Sequence, residues 1–281
     1  MSIAPNSPAL AALHAGAPCW LELPVTDLAA AKDFYTGLFG WRYTDDRGYA
    51  VATLDGVPVA GMPVTRALPQ QYTNWTLFLH TRHARATAEK VFALGGLVLR
   101  NPSVEADHTQ TTVIGDPTGG VIGFRHVPPN WRFGTTGHGA YAWAELNTRD
   151  GATADAFFRE LCHFDVMQIG DGHVVDYTVW SVEGESVLGR QRMGRRSFPP
   201  TVPAHWMVYL TASPEIGADS VANRVLELGG EVAVEPYDTP YGRVTEVRDH
   251  TGSTFSVIDP SRAVPLSDDE RGANVDDPYD D

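Results

Sequence analysis

Trp20-Leu-Glu-Leu23 returns later in the chain as Trp143-Ala-Glu-Leu146, and in both places an aspartate follows shortly afterwards. Three further segments return in the same order: Asn74–Leu79 as His205–Leu210, Ala93–Val98 as Glu227–Val232, and Asp116–Gly119 as Asp249–Gly252. A repeat this long is a duplicated domain, because the unit of a solenoid is only a few tens of residues. We therefore predict two copies of one domain, whose functional sites should be compared with each other.

Size and composition narrow the class of protein. A chain of 281 residues suits two domains of about 100–150 residues each. Its hydrophobic share of 43% and charged share of 20% are typical of a globular protein. The net charge of −14 argues against a nucleic-acid partner. No apolar run reaches the ~18 residues of a membrane span, and the N-terminus lacks the basic region of a secretory signal. We expect a cytoplasmic protein that does not associate with membranes, with Cys19 and Cys162 reduced and buried.

Turn and cap signals divide the chain into elements. Asp27 is placed to cap a helix that Gly40 ends, and Asp55-Gly56 predicts a tight hairpin turn. Pro and Gly cluster between the two copies, as is typical of a linker. The predicted organisation is a flexible arm over residues 1–17, a first domain over 18–127, a linker over 128–137, a second domain over 138–261 and an acidic, disordered tail over 262–281.

The segment Asp27–Trp41, together with the Asp-Pro-Thr-Gly turn at Asp116–Gly119, resembles the vicinal oxygen chelate superfamily of glyoxalases, bleomycin-resistance proteins and extradiol dioxygenases. The resemblance implies an α+β fold of four βαβββ modules, which form curled, mostly antiparallel sheets around cavities. It leaves open whether each sheet forms within one half or across both. The tandem form is also similar to a mycobacterial tandem secreted antigen and to accessory proteins of actinomycete anthracycline (daunorubicin–doxorubicin) tailoring.

Metal-using members of the superfamily take their ligands from inner-facing positions on the first, fourth, fifth and eighth strands. The resemblance places the following residues there: Trp20, Met62, Thr76 and Gly123 in the first half, and Trp143, Arg190, Met207 and Ser256 in the second. Neither set, nor a mixture of the two, supplies three imidazole, carboxylate or thiolate ligands. We expect no metal and no other cofactor.

The repeated Trp-x-Glu pair stands where the ligand of the first strand would be. Side chains two apart on a strand share a face, so each indole should lie beside a carboxylate. Such a pair suits a flat aromatic ligand, and a cationic one above all. The alternative is that the tryptophans fill the core. The candidate ligand-binding residues are Trp20, Glu22, Met62, Thr76, Trp143, Glu145, Met207 and Ser256.

Two classes of function remain open. The first is metal-independent binding of a hydrophobic polycyclic aromatic molecule, such as an anthracycline, in antibiotic biosynthesis or self-protection. The second is a metal-free lyase, isomerase or hydroxylation-type enzyme that acts on a polyketide, with Glu22 or Glu145 as general base. A metal-dependent glyoxalase or dioxygenase is a third, disfavoured possibility. A tailoring enzyme such as a monooxygenase is a candidate partner, and we expect a monomer whose halves mimic a dimer.

Overall fold

The computed structural model describes residues 13–66, 74–105, 107–172, 175–195 and 198–264. These residues form two eight-stranded sheets, and every strand of a sheet comes from one half of the chain. The strand order is β2-β3-β4-β1-β5-β8-β7-β6 in the first half and β10-β11-β12-β9-β13-β16-β15-β14 in the second. Two strand pairs in each half are parallel, β1 with β4 and β5 with β8 in the first. Each sheet therefore forms within one half of the chain and not across both halves.

The elements follow the βαβββ scheme four times. The first half contains β1 Pro18–Glu22, α1 Leu28–Phe39, β2 Arg42–Asp46, β3 Tyr49–Leu54, β4 Val57–Pro63, β5 Thr76–His80, α2 Ala84–Ala93, β6 Leu97–Val104, β7 Gln110–Gly115 and β8 Val121–His126. The second half contains β9 Tyr141–Thr148, α3 Gly151–Cys162, β10 Asp165–Ile169, β11 Tyr177–Val182, β12 Glu185–Arg192, β13 His205–Thr211, α4 Gly217–Glu227, β14 Glu231–Thr239, β15 Gly242–Arg248 and β16 Thr254–Asp259.

Local signals set the ends of the first helix as predicted. The Asp27 carboxylate accepts a hydrogen bond from the Ala30 amide at 3.0 Å, which satisfies a free N–H group at the helix start. Gly40 ends the helix with φ +70°, a conformation that costs glycine little. Asp150 caps α3 in the same way, through the Thr153 amide at 3.1 Å. The two halves therefore begin with the same strand–cap–helix unit.

The two halves share one hydrophobic core. Aromatic side chains of α1 reach the second half: the Phe34 ring lies 5.5 Å from His250, and the Tyr35 ring lies 5.9 Å from Phe255. The buried Tyr35 hydroxyl also donates a hydrogen bond to Asp249 Oδ2 at 3.0 Å. The aromatic side chains of both first helices belong to this single cluster, which spans the chain from Leu21 to Val257. The halves are thus joined by packing as well as by the linker.

Several features outside the sheets bear on the predicted organisation. Gly16 in the expected arm donates a backbone hydrogen bond to His80 of β5 at 2.8 Å, so the end of the arm lies against the first sheet. The rest of the arm, residues 1–12, and the tail beyond Val264 lie outside the described residues. Cys19 and Cys162 are buried free thiols. No helix among the described ranges is long and apolar enough to cross a membrane.

Candidate functional site

Each sheet has a face that turns away from its helices, here called the inner face. The strand register shows which predicted residues share it. Glu22 pairs with Thr76 across β1 and β5, and in the second half Glu145 pairs with Met207. Directly paired residues of neighbouring strands point to the same side. The same argument adds Ser256, the β16 partner of Tyr209.

A hydrogen-bonded Trp–Tyr–Glu chain occurs on the inner face of the first half. Trp20 Nε1 donates to the Tyr49 hydroxyl at 3.0 Å, and that hydroxyl donates to Glu22 Oε1 at 3.0 Å. The predicted pairing of indole with carboxylate is therefore real, but a tyrosine on β3 lies between the two groups.

The second half repeats this chain and adds to it. Trp143 Nε1 donates to the Tyr177 hydroxyl at 3.1 Å, and this hydroxyl lies close to the Glu145 carboxyl group. A second hydroxyl, that of Tyr209, donates to Glu145 Oε1 at 2.8 Å. The Glu145 carboxyl group therefore lies between two tyrosine hydroxyls and is hydrogen-bonded to that of Tyr209.

Glycine makes room for these chains on the fourth strand of each half. A Cβ atom on Gly61 would lie 3.0 Å from Trp20 Nε1 and would overlap Tyr49, and Gly189 stands in the same relation to Trp143 and Tyr177. Glycine inside a strand is a sign that another group approaches the backbone closely.

The predicted occupants of the fourth-strand position, Met62 and Arg190, are therefore wrong by one residue. Met62 is fully buried in the core on the helix side of the sheet. Arg190 also points away from the inner face: its guanidinium forms ion pairs with Asp155 at 2.7 Å and Asp176 at 2.6 Å. A shift of one residue moves a side chain to the opposite face of a strand.

Two further tryptophans, Trp75 and Trp206, pack on the helix side of the sheets and belong to the shared core. Trp180 also lies in this core and donates to Asp155 at 2.8 Å. None of the three lines an inner face.

An internal ion pair closes the first-half face. Arg125 on β8 is 3% exposed and donates to Glu22 Oε1 at 3.2 Å and to Asp107 Oδ2 at 2.5 Å. Burial raises the pKa of Glu22, and the nearby guanidinium acts in the opposite direction. The charge of this carboxylate is therefore compensated within the protein.

The interdomain linker covers the same face. The Trp131 ring packs edge-on against Trp20 at 5.2 Å and lies over the Arg125 guanidinium at 4.8 Å. Its Nε1 donates to the Cys19 carbonyl at 2.9 Å, and Phe133 contacts Trp20 at 6.0 Å. As a result Trp20 is only 2% exposed. The first-half face is occupied by residues of its own chain.

Replacing Trp131 with alanine should therefore uncover Trp20. We expect the free energy of unfolding to fall by about 3 kcal/mol. This value is at the lower end of the range for replacing a buried Trp with Ala, because the indole of Trp131 is only half-buried. Urea unfolding followed by tryptophan fluorescence measures both the stability and the exposure. Trp131→Phe is the matched control, since it keeps a ring over Arg125 and should cost less. Equal stability of the alanine variant and the wild type would contradict the described cover.

The second-half face differs in charge and in cover. Ile258 stands on β16 where Arg125 stands on β8, and no Arg or Lys among the described residues forms an ion pair with Glu145. Burial raises the pKa of Glu145 from 4.5 to about 7. The described segment after β16, Pro260–Val264, contains no aromatic residue to match Trp131. Trp143 is partly exposed, whereas Trp20 is buried.

The residues at the superfamily's metal positions do not fit a metal. With the corrected register they are Trp20, Gly61, Thr76 and Gly123 in the first half, and Trp143, Gly189, Met207 and Ser256 in the second. Hydroxyl groups are the only polar oxygens among them, and divalent transition metals require stronger donors. No group of three or more His, Cys, Asp or Glu side chains within the described ranges could hold a metal ion.

Comparison with known proteins gives relatives that match nearly the whole chain. A family model described as a glyoxalase-like domain matches residues 20–123. The anthracycline biosynthesis protein DauV of Streptomyces sp. strain C5 is 31% identical over 280 residues, which covers 90% of this chain and 97% of that protein. The putative glyoxylase CFP32 of Mycobacterium bovis is 34% identical over 263 residues and covers 88% and 95% of the two chains.

Solved structures agree with the fold. The Mn(II)-bound glyoxalase from Novosphingobium aromaticivorans has a TM-score of 0.59 at 14% identity, covering 90% of this chain and 87% of that one. At this identity the likeness concerns the fold alone.

Proposed function

Because this chain belongs to the vicinal oxygen chelate superfamily, as a tandem protein with glyoxalase-like domains, we propose that it binds a planar polycyclic aromatic molecule, without a metal, on the inner face of its second half. The main support is the difference between the two inner faces. In the first half the chain's own Trp131 lies against the Trp20–Glu22 chain, whereas the corresponding Trp143 of the second half is partly exposed. A ligand ring on Trp143 would take the place that Trp131 takes on Trp20.

The class of ligand comes from two sources. An indole plane favours flat aromatic molecules through offset or edge contacts. The relative DauV is an anthracycline biosynthesis protein, and anthracyclines are planar polycyclic molecules. We therefore take an anthracycline-type compound as the ligand class. Binding would serve self-protection, or the transfer of an intermediate to a tailoring enzyme such as a monooxygenase.

Replacing Trp143 with alanine should weaken binding of daunorubicin by about tenfold or more. Ring contacts beyond burial contribute ~0.5–1.5 kcal/mol, and the lost burial adds to this. Titration of daunorubicin into the protein, followed by quenching of intrinsic tryptophan fluorescence, gives the dissociation constant. We expect one site per chain.

Trp20→Ala is the matched control on the other half. Because Trp131 already covers Trp20, this variant should retain the affinity for daunorubicin, provided that it stays folded by circular dichroism. If Trp143→Ala left the affinity unchanged, or if the wild type showed no saturable quenching at micromolar ligand, the proposed site would be wrong.

One observation favours the second candidate function, a metal-free enzyme. The pKa of Glu145, raised to about 7 by burial, is well matched to a general base at neutral pH. A general base is needed for turnover, so Glu145→Gln would abolish product formation. In a binding protein the same variant would change affinity alone. The wild type and Glu145→Gln are each incubated with daunorubicin and with anthracycline precursors, and the products are analysed by mass spectrometry. Product formed by the wild type but not by the variant would indicate an enzyme.

A further inference from the structure

We propose that the second-half face selects aromatic ligands that carry an ammonium group, which Glu145 binds inside a cage of aromatic side chains. This inference rests on the proposed function and specifies which aromatic molecules the site prefers. Four observations support it: the arrangement in the first half, the change of charge in the second, the aromatic rings near Glu145, and a buried hydroxyl on the same face that has no hydrogen-bond partner among the described residues.

The first half shows which partners a Trp–Tyr–Glu chain takes when its site is filled. The Arg125 guanidinium donates to Glu22 at 3.2 Å and lies 4.8 Å from the centre of the Trp131 ring. A cation and a flat ring, about 5 Å apart, together complete this face. A molecule that joins a flat aromatic ring system to an alkylammonium group has both, and it would supply what Arg125 and Trp131 supply here.

The second half lacks the internal cation and is more acidic. Ile258 replaces Arg125, and Glu246 on β15 lies near enough to Glu145 to help raise its pKa. Glu246 pairs with Ser256 in the register, so it belongs to the inner face. Val113 holds the corresponding place in the first half, opposite Gly123. A face with one more carboxylate and one less guanidinium favours a positively charged ligand.

Aromatic rings surround this carboxylate. Trp143 donates to the Tyr177 hydroxyl, and the Tyr209 hydroxyl donates to Glu145. Ring faces attract organic cations, and several rings around an anion are the usual recognition site for alkylammonium groups.

An unpartnered hydroxyl on the same face also indicates a ligand. Ser256 is fully buried, and its Oγ has no hydrogen-bond partner among the residues that the structure describes. Its register with Tyr209 and Glu246 directs it to the inner face. A buried hydroxyl without a partner is costly, and an N–H group of the ligand would satisfy it.

The test compares daunorubicin with N-acetyldaunorubicin, which has the same rings but no positive charge. Both are titrated into the wild-type protein at pH 7.5 by fluorescence quenching. We expect daunorubicin to bind at least tenfold more tightly. Because this comparison needs no variant, it does not depend on the folding of a mutant.

Variants assign the preference to Glu145. In Glu145→Gln the two compounds should bind with affinities within about threefold of each other, and Ser256→Ala should reduce the preference for the amine without abolishing binding. Glu22→Gln in the first half is the matched control and should keep the full preference, since its carboxylate faces Arg125.

The outcomes separate this inference from the proposed function. Equal affinity of the wild type for both compounds, or an unchanged preference in Glu145→Gln, would overturn the ammonium site while leaving aromatic binding intact. No saturable binding of either compound would overturn the proposed function itself.

Discussion

Replacing Arg125 with methionine should lower the free energy of unfolding by about 3–5 kcal/mol, the usual cost of removing one partner from a buried ion pair. Arg125 is 3% exposed and bonds both Glu22 and Asp107, so its loss leaves the buried Glu22 carboxylate without its ion-pair partner. Methionine keeps the aliphatic part of the arginine side chain but lacks the guanidinium that lies over Trp131, so the loss of this contact adds to the cost. Urea unfolding at pH 7.5 measures the loss.

The double variant Glu22→Gln/Arg125→Met is the informative control. It removes the stranded charge, so it should recover most of the stability lost in the single variant. Glu22→Gln alone should cost less than Arg125→Met, since Arg125 keeps Asp107 as a partner. Equal losses in the single and double variants would show that the ion pair does not set the stability of this face.

The second large effect is a dependence of stability on pH that arises from Glu145. Burial raises the pKa of this carboxyl from 4.5 to about 7 in the folded protein. The folded state therefore holds the proton more tightly than the unfolded state. The stabilising contribution of the neutral carboxyl is complete below pH 4.5 and is lost as the pH rises through 7. Above pH 7 the loss reaches about 3 kcal/mol relative to low pH.

Glu145→Gln isolates this contribution from the other titrating groups. Glutamine stays neutral at every pH, so the variant lacks the pH-dependent loss of stability. Between pH 4.5 and pH 8, the unfolding free energy of the variant should therefore rise by about 3 kcal/mol relative to that of the wild type. Urea unfolding at a series of pH values measures it. A constant difference across this range would mean that Glu145 titrates normally. Saturating daunorubicin should reduce the effect, because a bound ammonium favours the charged carboxylate.

Much of the fold could be predicted because its signals are local. The cap at Asp27 and the glycine at Gly40 mark one helix, and the repeat of the same strand–helix unit at Trp143 marks the second domain. The edge strands β2 and β6 carry mostly exposed side chains, so no hydrophobic pattern marks them. Only the resemblance to the superfamily implied strands at these places.

The site was harder to predict, since it depends on contacts between distant strands. The alternation of Trp20 with Glu22 correctly placed both on one face. The neighbouring sequence does not indicate, however, that the Tyr49 hydroxyl lies between them. The cover by Trp131 depends on the path of the linker, which sequence pattern does not fix. One signal was available: glycine within a strand at Gly61 and Gly189 indicates a close approach from another group.

The core shared between the halves has a consequence for the newly made chain. Phe34 in α1 lies against the backbone at Gly230, and Phe157 in α3 lies in the same way at Gly96, so each half buries an aromatic ring of the other. During synthesis the first half emerges complete, with all eight of its strands, before its counterpart exists. Until then Phe34 and its neighbours face water and favour aggregation. We expect this protein to depend on chaperones most strongly after its first half has left the ribosome and before its second half has done so.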